Sequence, residues 1–75
     1  MSSLRVALGR VIAVQRKNAG YSQEDFAHKA KVHRTYMTGI ERGTQNPSLA
    51  VIERIAMALQ VPVSRLLADA EKARV

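Results

Sequence analysis

The 75-residue sequence has no cysteine and no tryptophan, only three aromatic residues (Tyr21, Phe26, Tyr36), and six acidic residues against twelve Lys or Arg. Each shortage excludes something. Without cysteine there is neither a disulfide framework nor a thiolate zinc site to staple the fold. With so few aromatics, a stacking platform for single-stranded nucleic acid has no material. No apolar run approaches the ~20 residues that cross a bilayer. Arg5 and Arg10 bracket only Val6 to Gly9, too short for the apolar core of a secretory signal. These features fit a reducing, cytoplasmic setting. The length allows one domain, expected to span residues 1–75 with its core over about 4–70. It is too small for a doubly wound sheet or a TIM barrel, which removes most enzyme folds. A domain of this size buries only about 60 % of its unfolded surface, so self-association would help it.

What is present is apolar and basic: 47 % hydrophobic residues and a formal net charge of +6. Residues 1–48 hold eight Lys or Arg against three acids, and residues 49–75 hold four against three. An excess on one side points to a polyanionic partner, nucleic acid or acidic lipid, or else to a solvated, solubilising face.

Apolar spacing predicts five helices and no strand, an all-α fold. Leu4, Leu8, Val11, Ile12 and Ala19 mark a first helix from about Ser3 to Asn18, capped by Ser2 or Ser3 and left through Gly20. Val6 and Val14 lie off that stripe and either widen the core face or mark a contact surface. Ser22 caps a second helix, whose Glu24 and Asp25 suit its positive end and whose apolar face is Phe26, Ala27 and Ala30. A third runs from about His33 to Glu41 with Tyr36, Met37 and Ile40 at core spacing. Gly43 ends it, and Pro47 keeps it from resuming. A fourth starts at Pro47 or Ser48, with Leu49 near its entry and Ile52, Ile55, Ala56 and Leu59 facing inward. A fifth begins near Pro62 with Leu66, Leu67 and Ala70 inward. Residues 71–75 are expected to fray.

Two short helices joined by a three- or four-residue turn form a compact DNA-binding unit, and Ser22 to Glu41 have that layout. The runs Ser22-Gln23-Glu24-Asp25-Phe26-Ala27, Tyr36-Met37-Thr38-Gly39-Ile40-Glu41-Arg42-Gly43, Asn46-Pro47-Ser48-Leu49 and Ile52-Glu53-Arg54-Ile55-Ala56 resemble the helix-turn-helix family of phage Cro and CI repressors, the xenobiotic-response-element family. Leu59, Val61-Pro62 and Leu66-Leu67 extend the resemblance, which covers Leu8 to Leu67. Within the family, His33-Arg34-Thr35-Tyr36 leading into Gly39-Ile40-Glu41-Arg42-Gly43, together with the length, resembles the small controller proteins of restriction–modification systems.

The resemblance implies a compact five-helix, lambda-repressor-like domain acting as a homodimer on double-stranded DNA, on a pseudo-palindromic operator. Such a regulator recruits or blocks RNA polymerase. It also implies roles for residues. Arg34, Thr35 and Thr38 would read bases, Arg34 through guanine O6 and N7; Thr35 either does so or simply begins its helix. Gln23, His33, Tyr36, Arg42 and Asn46 would contact phosphates. The alternatives are an N-cap for His33, core packing for Tyr36 and a self-bonded turn for Asn46. Gly39 would share the exposed face of Thr38 and allow close backbone approach. Arg16 and Glu41 would form a structural pair. Val51, Met57, Val63 and Leu67 would make the dimer surface, because Val51 and Met57 stand where relatives are usually polar. Two departures from the family pattern are Lys31 and Gln60, each at a helix exit where Gly is usual.

Other functions fit less well. An antitoxin-type interaction module would need a toxin-binding tail, and residues 71–75 are too few. Glu24, Asp25 and His28 are the one imaginable metal trio, but adjacent residues point apart on a helix. No phosphate-binding glycine loop or nucleophile elbow is present. No enzyme activity, cofactor or metal is expected.

Overall fold

The computed structural model describes residues 3–74. They form five helices: α1 (Leu4–Asn18), α2 (Gln23–Ala30), α3 (Arg34–Arg42), α4 (Leu49–Leu59) and α5 (Val63–Ala73). No strand occurs among the described residues. None of these helices is long and apolar enough to cross a membrane.

The helices start where local chemistry satisfies the free amides. Ser3, Ser22 and Ser48 each accept a hydrogen bond from the amide three residues on, at Val6, Asp25 and Val51. Ser2, the other candidate cap, lies outside the described residues. His33 caps α3 by accepting from the Thr35 amide at Nδ1. Pro62 opens α5 with no side-chain cap.

Four helices end by one device. At Gly20, Lys31, Gly43 and Gln60 the backbone turns left-handed, with φ of 86°, 58°, 79° and 61°. The following amide bonds back five residues: Tyr21 to Arg16, Val32 to Ala27, Thr44 to Gly39, Val61 to Ala56. Lys31 and Gln60 thus hold the glycine-like conformation that their positions require. A side chain there costs roughly 1–2 kcal/mol of steric strain. Gln60→Gly relieves it at some cost in unfolded-chain entropy, so the expected net gain is about 0.5–1 kcal/mol, read as a higher urea midpoint.

α1 packs against α5 and α3, and α2 against α3 and α4. Phe26, Ile12, Met37, Ile40, Ile55 and Leu66 fill the centre, each contributing about 1.5–3 kcal/mol by leaving water. α1 approaches the backbone of α3 closely at Gly9. A Cβ there would sit 2.2 Å from the Ile40 carbonyl oxygen and 2.9 Å from that of Glu41. A hydrogen at Gly9 therefore sets the distance between α1 and α3.

One packing expectation is corrected. Val51 is only 8 % exposed; with Ile55 and Ala58 it follows the buried i, i+4, i+7 stripe of α4. Leu49 stands at the entry of α4, as its first residue, and is 66 % exposed. α5 continues to Ala73. Val75 lies outside the described residues.

Candidate nucleic-acid interface

The turn Lys31-Val32-His33 joins α2 to α3 and sets the amino ends of both helices on one side of the domain. Arg34 is the first residue of α3 and Thr35 the second. Both are exposed, and Thr38 follows on the same face as Arg34 and Thr35, half-buried. A helix amino end carries partial positive charge and free amides, which favour a phosphate. The Arg34 guanidinium is 62 % exposed and lies 3.8 Å from Glu24, itself 73 % exposed. An exposed pair at that distance holds about 0–1 kcal/mol, so a nucleic acid can take Arg34 from it.

Beneath this face lies a buried polar network. Arg16 on α1 donates from Nε to Glu41 Oε2 at 2.8 Å and from Nη2 to Oε1 at 3.1 Å. Its Nη1 donates to the Tyr21 carbonyl at 2.9 Å. The two side chains are 10 % and 7 % exposed. The bond to Glu41, above all, raises the Arg16 pKa, outweighing the opposing effect of burial. The pairing inferred from sequence is therefore present, and it ties α3 to α1 through two parallel charge-assisted bonds.

Gln23, the first residue of α2, extends the network. Its Nε2 donates to Glu41 Oε1 at 3.1 Å, and its Oε1 accepts from the Thr38 hydroxyl at 2.7 Å. The phosphate role expected of Gln23 is thus narrowed to its second amide hydrogen. This bridge depends on the crossing of two helices, and neither residue's sequence neighbourhood signals it.

The other expected ligands are placed as follows. His33 uses Nδ1 as a cap, the alternative to phosphate contact, and only Nε2 is left for a ligand. Tyr36 is half-buried and packs against the core, which matches its core reading. Arg42 is exposed at the carboxyl end of α3. Asn46 is exposed in the loop between α3 and α4. Gly39 is corrected: it is buried, not exposed. Its carbonyl accepts from the amides of Thr44 and Gln45, and a Cβ would meet Gln45 Cγ at 2.3 Å. The chain that approaches this glycine is its own loop. Glu24, Asp25 and His28 form no metal site, and no such cluster of three occurs among the described residues.

The four residues expected at the dimer surface do not share one patch. Val51 is in the core. Met57, 77 % exposed, adjoins Lys29, Lys31 and Arg54 in a dip between α2 and α4. Val63 is half-buried. Leu67 lines a separate apolar groove with Leu4, Leu8, Pro47 and Ile52.

The helix-turn-helix family model matches residues 12–66. The control protein C.MunI of Mycoplasma sp is 36 % identical over 73 residues, 96 % of this chain and 99 % of the relative. The crystal structure of the clp gene regulator ClgR from C. glutamicum superposes with a TM-score of 0.93 at 26 % identity, covering 99 % of this chain and 95 % of that one. The restriction-modification controller protein C.AhdI from Aeromonas hydrophila superposes with a TM-score of 0.79 at 36 % identity, over 81 % of this chain and 92 % of that one. With α2, the three-residue turn and α3 in the expected order, the chain belongs to the Cro/CI-type helix-turn-helix family.

Proposed function

We propose that this DNA-binding regulator reads duplex DNA as a homodimer, each copy setting the amino end of α3 into one of two successive major grooves. The observation that carries the reading is Arg34: exposed, loosely paired, and at the tip of a helix that a buried bidentate ion pair holds in place. Its planar fork suits the O6 and N7 acceptors of guanine. Thr35 and Thr38 supply the neighbouring base contacts. The amino ends of α2 and α3, with Arg42 and Asn46, supply phosphate contacts that position without specifying.

The dimer follows from size. The domain measures 31 × 22 × 22 Å, and successive major grooves lie about 34 Å apart. One copy cannot reach both. The groove lined by Leu4, Leu8, Ile52 and Leu67 provides the apolar surface for pairing. By analogy with the controller relatives, the regulator acts on its own restriction–modification operon by recruiting or blocking RNA polymerase.

Arg34→Ala tests the base-reading role. Its side chain is exposed, so folding stability should stay within about 0.5 kcal/mol of the parent's. Binding to the preferred site should weaken by about 1–3 kcal/mol, with discrimination lost at one base pair per half-site. Titration against single-base variants of the site reads this. Equal weakening on all variants would make Arg34 a phosphate ligand instead.

A further inference from the structure

Thr38 lies on the same face of α3 as Arg34, with its hydroxyl hydrogen already taken. The Glu41 carboxylate only accepts, so the Gln23 amide must turn its NH2 toward Glu41 and its oxygen toward Thr38. That oxygen and the Thr38 hydroxyl oxygen are 2.7 Å apart. Two oxygens at this distance need a hydrogen between them, and only Thr38 has one. The Arg34 carbonyl is a second acceptor, 3.0 Å from the same hydroxyl. It already receives the Thr38 amide within α3. For Gln23 Oε1, the hydroxyl is the one donor among the described residues.

From this geometry we infer that Gln23 is a specificity-determining positioning residue: it holds the Thr38 hydroxyl as an acceptor, so that Thr38 rejects bases whose major-groove edge offers acceptors alone. The outward face of Thr38 is then a methyl group and oxygen lone pairs. Adenine N6 and cytosine N4 can donate to those lone pairs, and thymine can meet the methyl. Guanine presents only N7 and O6 and is repelled. The orientation is relayed from the buried pair, Arg16 to Glu41 to Gln23 to Thr38, so a group that touches no base sets what a neighbour reads.

The inference rests on the DNA reading proposed above, and parallel selections from random duplex DNA separate the two. The wild type should return a motif in which guanine is about tenfold under-represented at one position per half-site, the low end of discrimination by one good base contact. Gln23→Met keeps the bulk at that half-buried site and leaves the hydroxyl only the Arg34 carbonyl, already occupied by the Thr38 amide, as an acceptor within the protein. The under-representation should shrink to within about threefold there, with the guanine read by Arg34 retained. Thr38→Ser should keep the exclusion. Thr38→Val has no hydroxyl and should lose the adenine and cytosine preference at the same position, and its retention there would overturn the inference even if Gln23→Met folds poorly. A wild-type motif that Gln23→Met leaves unchanged at every position, with only a general loss of affinity, would overturn the inference and leave Gln23 a phosphate ligand. No motif from folded wild-type protein would overturn the DNA reading itself, and this inference with it.

Discussion

Glu41→Ala is expected to remove about 3–5 kcal/mol of folding stability, the cost of leaving a buried charge without its partner. Arg16 is nearly sealed from water, and two of its three hydrogen bonds end on Glu41. Without the carboxylate the guanidinium keeps one carbonyl, and the Gln23 NH2 loses its acceptor. A chain of this length is held by roughly 4–11 kcal/mol in total. The variant therefore keeps between none and about 8 kcal/mol of that stability, so any binding defect has to be read against its folded fraction. Urea denaturation measures this. A loss under about 1 kcal/mol would mean that the pair behaves like an exposed one. Replacing both partners with apolar residues of similar volume should cost less than either single change. The pH dependence has a definite sign. A raised Arg16 pKa contributes stability that is present below the unfolded-state pKa and lost only as pH rises through the folded one. Both lie in strong alkali, so Arg16 should add no pH dependence to stability between about pH 5 and pH 9.

Gly9→Ala is expected to destabilise by about 1–3 kcal/mol, although helix propensity alone would predict a gain of about 1 kcal/mol. The added methyl collides with backbone carbonyls of α3, which have no rotamer to escape into. Relief requires moving α1 away from α3, which also stretches the Arg16–Glu41 bonds. For a domain this small each kcal/mol lowers the melting temperature by about 4–8 °C. Calorimetry should therefore show a clear drop. A rise in melting temperature would mean that the two helices separate freely.

These two residues mark what the sequence makes visible. Arg16 and Glu41 are legible because a family pattern places opposite charges at matching sites, and the helix exits at Lys31 and Gln60 are legible because the same pattern usually has Gly there. The helices themselves follow from apolar spacing and serine caps, which act within a turn or two. Gly9 is invisible by contrast: a glycine inside a helix signals nothing until the neighbouring backbone is known. Val51 misleads because its family position suggests a surface, while the α4 stripe it belongs to is buried. Gly39 misleads in the opposite direction, since the loop that covers it lies beyond the helix end. Within the interface, Arg34 and Thr35 could be named from position alone. The bridge from Gln23 to Thr38 depends on the angle at which α2 crosses α3, a property of packing and not of either helix.

The most direct test of dimeric, sequence-specific reading is selection of the wild-type protein on random duplex DNA at near-physiological salt. The expected product is a two-fold symmetric motif, with half-sites about one helical turn apart and a guanine in each at the position Arg34 reads. An enriched but unsymmetric motif would contradict the symmetric dimer. A folded protein that enriches no sequence would contradict base reading altogether.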